Sequence, residues 1–311
     1  MRLARVSRAP SGASRARARR RRRTEMPRAR SSVRDDRVEL HDAGVSIDAL
    51  PWGRDVRDDA LARSIESVDA DDANGTSALF YVARPLERES RGVVVVVHTA
   101  LGAWETFTTT CADALASLGY DAIVPDLYGT RKCVWDVETK RRIRGGTENR
   151  AAFGAKAVIK CVKAFRSKTG ETKPYAAIGF CLGGQVCLDL VRGFGASDEI
   201  EDVRAVASFH GVLDAPELEG GSVARDAKVR IFHGSKDPFS SPSSVHACLD
   251  DLKRRGADDV VLYEYEGCMH AFTRPEKVRP EDLETGFAYD AEAAETSWRE
   301  CVRMLEETFR N

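Results

Sequence analysis

Apolar residues along the chain fall into short runs parted by polar, glycine-rich turns, and the runs alternate between strand-like and helix-like spacing. Residues 79–83 form a first candidate strand. The unbroken β-branched run at 93–98 has the pattern of a strand buried on both faces. A helical pattern at 105–118 stops at Gly119, a strand follows at 122–125, and after a long loop a second helix covers 149–165. Further on, the pattern gives a strand at 175–180, a helix at 182–191, strands at 203–209, 229–234 and 260–265, and a closing amphipathic helix at 293–309. Strands alternating with helices predict an α/β fold, a mostly parallel central sheet with helices on both faces. Functional groups in such sheets lie beyond the carboxyl ends of the strands, so the turns at those ends were read for chemistry.

One turn carries a nucleophile. Gly179, Phe180, Cys181, Leu182 and Gly183 form a Gly-x-Cys-x-Gly sequence between strand and helix. The two glycines let the backbone bend tightly and let the helix pack closely behind, which lifts the Cys181 side chain out of the sheet. A helix beginning at Leu182 directs unpaired N–H groups and a partial positive charge at that sulfur, favouring thiolate. Two later strand ends supply partners: 229–234 runs into Asp237, and 260–265 runs into His270. The order nucleophile, acid, histidine is the one expected of an α/β-hydrolase fold. In this arrangement His270 takes the thiol proton and Asp237 fixes the tautomer of the imidazole and stabilises its cation. The backbone N–H of Leu182 is one oxyanion donor.

The segments around Cys181, around Asp237 (His233, Gly234, Ser235, Lys236, Asp237, Pro238) and around His270 (Met269, His270, Ala271, Phe272) resemble the dienelactone hydrolase family. The likeness extends from about Gly75 to the C-terminus and includes the 125–129 turn and the late 287–298 segment. It implies a hydrolase of small carboxylic esters, lactones or thioesters that needs no metal or organic cofactor. It also implies Ala100 as the second oxyanion donor and Arg274 as an anchor for a substrate carboxylate. One position departs from the family pattern. Lactone-hydrolysing members carry a Glu beside the thiol where this chain has Thr99, and a hydroxyl can neither hold a charge nor accept the proton in the same way. Cys181 is therefore expected to depend on His270 alone, with a substrate other than a dienelactone. Because of Thr99, a weakly catalytic or non-catalytic scaffold that binds a ligand or partner is a second reading.

His98 and His210 each end a strand beside these turns; His98 is read either as orienting the turn or the substrate or as a satisfied core histidine, and His210 as lining the same pocket. His233 is read as structural. Trp104, Phe180, Phe239 and Phe272 flank the motifs and make either an apolar pocket or ordinary core.

Charge divides the chain. Thirteen arginines and a single acid give residues 1–34 a charge of +12, so the rest carries −13 within a total of −1. That leader reads as a transit peptide to a chloroplast or mitochondrion, as the result of a start placed ahead of Met26, or as a nucleic-acid-binding arm; without it the protein is expected in the cytoplasm. Residues 35–74 are Asp-rich, without clear periodicity, and read as an irregular extension with a turn at 71–75. Residues 75–311 form the hydrolase domain. The eight cysteines show no paired metal-ligand spacing and read as thiols. No apolar run approaches a membrane span, the acidic body does not suit nucleic acid, and a monomer or homodimer is expected.

Overall fold

The computed structural model describes residues 38–41, 46–67, 79–144, 150, 152–194, 202–217 and 224–310. The arginine-rich leader, the turn expected at 71–75 and the helix start expected at Asn149 lie outside them. The strands are β1 (Leu61–Ser67), β2 (Leu79–Pro85), β3 (Val93–Val97), β4 (Asp121–Pro125), β5 (Tyr175–Phe180), β6 (Val203–Phe209), β7 (Lys228–Gly234) and β8 (Asp259–Tyr265). They form a single sheet in the order β1-β2-β4-β3-β5-β6-β7-β8. β2 runs antiparallel to both β1 and β4, and every other neighbouring pair is parallel.

The helices are α1 (Thr106–Ser117), α2 (Val137–Arg144), α3 (Ala157–Thr169), α4 (Leu182–Val191), α5 (Pro242–Arg255), α6 (Pro280–Glu284) and α7 (Ala291–Thr308). The period of two along each strand decides which layer a side chain joins. Val94 and Val96 of β3, with Ala176 and Ile178 of β5, face the core under α1 and α7. Val93, Val95, Val97, Tyr175 and Ala177 face the core under α3, α4 and α5. All five β3 valines are fully buried, each contributing roughly 1.5–3 kcal/mol, so this strand and its neighbours are the rigid floor of the site.

Two parts of the chain differ from the expectation. Within the stretch read as an irregular extension, Leu61–Ser67 adds the edge strand β1, and Trp52 is buried against Phe107, Phe180 and Trp298 at ring distances of 4.8, 5.1 and 5.4 Å. The loop after Tyr128 contains α2, and α3 begins only after a π-helical turn at Ala152–Lys156. Helix α5, absent from the periodicity reading, carries readable end signals: the Ser241 side chain accepts the Ser244 N–H, Pro242 opens the first turn, and Gly256 closes the helix at φ 97°. All eight cysteines are free. Among the described residues no cluster of His, Cys, Asp or Glu could hold a metal ion, and no helix is long and apolar enough to cross a membrane.

Candidate active site

Cys181 sits between β5 and α4 with φ 55° and ψ −114°, a conformation few non-glycine residues adopt and one that persists only where the surroundings impose it. The imposing contacts are backbone. A Cβ on Gly179 would lie 2.2 Å from the Gly183 carbonyl oxygen, and one on Gly183 would lie 2.2 Å from the Val97 oxygen. The turn is thus pressed against its own helix and against the end of β3, while the Cys181 N–H is held by the Phe209 carbonyl at 3.0 Å. The thiol remains partly exposed.

Asp237 and His270 come to this sulfur from the ends of β7 and β8. Nδ1 of His270 lies 2.7 Å from Oδ2 of Asp237, and Oδ1 of Asp237 accepts the Phe239 N–H at 2.8 Å, so both carboxylate oxygens are fixed. The histidine loop is clamped in turn: the His270 N–H is given to Gly286 and the Ala288 N–H to His270, at 3.0 and 3.1 Å. With Nδ1 on Asp237, the other ring nitrogen is the one that hydrogen-bonds Cys181. Burial pushes the thiol up, but the charge and hydrogen bond of His270, together with the backbone N–H groups of Leu182 and Ala100, outweigh it and bring Cys181 below the ordinary thiol value. Burial likewise depresses His270, and here the Cys181 thiolate and Asp237 prevail, so the imidazole is pushed up to about 10. The two shifts share one cause, since the charge of each group favours the ionised form of the other.

The four side chains expected at the substrate are all buried and engaged with protein. Thr99 donates its hydroxyl hydrogen to Oε2 of Glu105 at 2.9 Å and accepts the Leu101 N–H at 3.1 Å. Arg274 gives Nη2 and Nη1 to the two Glu105 oxygens at 2.7 and 3.2 Å, bonds Glu276 through Nε, and lies over the Phe107 ring. His98 is fully buried, bonded to the Thr99 carbonyl and the Leu127 N–H, and so braces the turn that follows β3. His210, also fully buried and at φ 37°, bonds Thr273 at 2.8 Å with its ring 5.1 Å from that of His270. Burial, then the neighbouring His270 and Arg274 charges, keep it neutral. Of the four aromatic candidates, Trp104, Phe180 and Phe272 belong to the core, whereas Phe239 is 46% exposed and packs on His270 with a ring distance of 4.7 Å. His233 is buried, in keeping with its structural reading.

Two groups escaped the sequence reading. Glu105 precedes α1, where an acid ordinarily serves the helix terminus, but here its side chain makes no cap bond and turns inward to Thr99 and Arg274. Lys140 stands on α2, half-buried, with burial lowering its pKa and Cys181 and Glu105 the nearest opposing charges. Nothing in its local sequence separates it from the neighbouring basic residues.

The sheet order, with β2 reversed against a parallel remainder and a tight strand-to-helix turn at Cys181 after β5, defines an α/β-hydrolase-fold protein. The dienelactone hydrolase family matches residues 80–309, and the chain belongs to that family. An uncharacterised Caenorhabditis elegans protein is 32% identical over 161 residues, 51% of this chain and 90% of that protein. Among solved structures, one titled m3DLH is 24% identical, with a TM-score of 0.69 over 81% of this chain and 100% of its own. P91, titled a dienelactone hydrolase-like promiscuous phosphotriesterase from metagenomic libraries, is 26% identical, with a TM-score of 0.67 over 79% and 99%.

Proposed function

We propose that this protein hydrolyses small carboxylic esters or lactones through a covalent acyl-thioester on Cys181. The observation that carries the reading is the convergence on one sulfur of His270, itself held by Asp237 at 2.7 Å, and of two backbone N–H groups, from Leu182 and Ala100. The thiolate attacks the carbonyl carbon, and the displaced electron pair goes to the carbonyl oxygen. Leu182 and Ala100 N–H groups stabilise that oxyanion; loss of one such donor typically costs about 3–4 kcal/mol of transition-state stabilisation. Collapse expels the alkoxide, which takes the proton of the His270 imidazolium, and Cys181 is left acylated. Water then gives a proton to the neutral His270 and attacks the thioester carbonyl, so that acid and thiolate are released. No step asks for a redox partner: His270 supplies the proton of the leaving alcohol and regains one from the attacking water.

A para-nitrophenyl acetate assay with mass analysis of the quenched enzyme tests the reading. Turnover with an acetyl group on wild-type protein, both lost in Cys181→Ala, is the expected result. Tight binding of acyl compounds without turnover or acylation would instead support the ligand-binding scaffold.

A further inference from the structure

Resting on the hydrolase reading above, we infer that the acyl group accepted beside Cys181 is uncharged and apolar, and that Glu105 sets this preference by holding Arg274. Arg274 follows the histidine loop by four residues and is the arginine nearest the reacting groups in sequence. It gives three of its guanidinium's five N–H groups to carboxylates, two to Glu105 and one to Glu276. The pair lies deep, with side-chain exposure of 7% for Arg274 and 2% for Glu105, and the Phe107 ring covers the guanidinium at 4.6 Å. Thr99 adds a further bond to the same Glu105 carboxylate, which fixes it where a substrate anion would have to stand.

A carboxylate brought to Arg274 would therefore meet Glu105 and Glu276 at short range, and like charges placed together in a buried site are strongly disfavoured. Lys140, half-buried on α2, lies in the fields of Cys181, Glu105 and Asp136, whose negative charges compete with a substrate anion for it. Aromatic rings pack against His270. Phe239 and Phe287 pack on the imidazole at 4.7 and 5.4 Å and on each other at 5.3 Å. A carbonyl compound seated between these rings and Cys181 has apolar surface to bury, while Arg274 is already engaged by two carboxylates.

The test compares two esters that differ by one charge, para-nitrophenyl methyl adipate and para-nitrophenyl hydrogen adipate, on full-length wild type, Glu105→Gln, Glu276→Gln and Lys140→Met. The expected wild-type result is a kcat/KM at least about tenfold higher for the neutral diester at neutral pH. Either glutamine substitution removes one charge from Arg274 and is expected to narrow that ratio by raising turnover of the charged ester. Thermal melts show whether each variant is folded, and the wild-type ratio decides the matter even if Glu105→Gln does not fold. Equal or faster wild-type turnover of the charged ester overturns the inference, and its loss in Lys140→Met would move the anion contact to α2. If neither ester acylates Cys181, the hydrolase reading fails and the inference falls with it. That outcome is distinct from a reversed preference.

Discussion

His98 accepts the backbone N–H of Leu127 at Nε2, 3.2 Å away, which leaves its Nδ1 to donate to the Thr99 carbonyl at 2.6 Å. An N–H group can only donate, so the tautomer is fixed by the fold, and burial holds the ring neutral. One side chain thus ties the end of β3, two residues before Ala100, to the end of β4. His98→Ala leaves the buried Leu127 N–H unpaired, and a loss of about 1–3 kcal/mol is expected in denaturant unfolding. If the Ala100 donor acts in turnover, kcat should fall by more than KM rises. An unchanged kcat in a folded variant would mean that the turn holds its shape without His98.

The opposed shifts of Cys181 and His270 define a pH window. Cys181 lies below its ordinary value, so thiolate persists as pH falls past the normal thiol range and is lost only on further acidification. His270, raised to about 10, keeps its proton until the pH climbs through that value, so the stability contributed by its charge is present at neutral pH and lost on the alkaline side. The rate of alkylation of Cys181 by iodoacetamide should therefore titrate below the free-thiol value of about 8.5. Ester hydrolysis should decline near pH 10 as the proton needed by the leaving group disappears. Asp237→Asn removes the negative charge beside Nδ1 and offers an amide that can hold the wrong tautomer. It should move the alkylation profile upward and cut kcat by up to about ten-thousand-fold. An alkylation profile that does not move in this variant would contradict the pairing.

Gly179→Ala tests the nucleophile turn without touching a side chain at the site. Its Cβ would stand 2.2 Å from the Gly183 carbonyl oxygen, which is backbone and cannot swing aside. A loss of about 3 kcal/mol or more is expected in chemical denaturation, because forcing atoms into a filled interior displaces main chain. Cys181 should also lose its enhanced reactivity, since the displaced helix no longer brings the Leu182 N–H to the sulfur. Wild-type stability in this variant would show that the turn is looser than its contacts indicate.

Wherever one local pattern decided the outcome, the sequence was legible. The α4 and β6 boundaries, 182–191 and 203–209, follow from mostly apolar stretches ended by polar residues, and Cys181, Asp237 and His270 stand just beyond the ends of β5, β7 and β8. What was missed depends on partners far away in the chain. β1 is a strand because it pairs with β2 along its whole length, not because its own sequence alternates, as its partly exposed residues show. Trp52 is core because α1 and α7 close over it. Glu105 and Arg274, separated by 169 residues, give no local sign that each neutralises the other. Likewise His98 and His210 lie at the right strand ends, but depth in the fold rather than position in sequence turns them into supports.

Thr99→Glu, which restores the acid that lactone-hydrolysing members carry, brings these points together. Oγ1 of Thr99 is 2.9 Å from Oε2 of Glu105, so a carboxylate introduced here meets one already buried. Arg274 offsets only part of that charge, and two carboxylates in contact do not both ionise readily, so one is expected to titrate well above its ordinary value of about 4.3. The native state then holds a proton that the unfolded chain has released, and stability falls as pH rises between the two pKa values. Denaturant unfolding at about pH 5 and about pH 8 should show the variant losing stability relative to wild type at the higher pH. Thr99→Val, which removes only the hydroxyl, should cost about 1 kcal/mol with no such dependence. If Thr99→Glu follows the wild-type pH profile, the new side chain has turned away from Glu105. If it behaves as expected, the Thr at this position is the partner that a buried Glu105 requires, and adding back the family's acid alone does not rebuild a lactone-hydrolysing site.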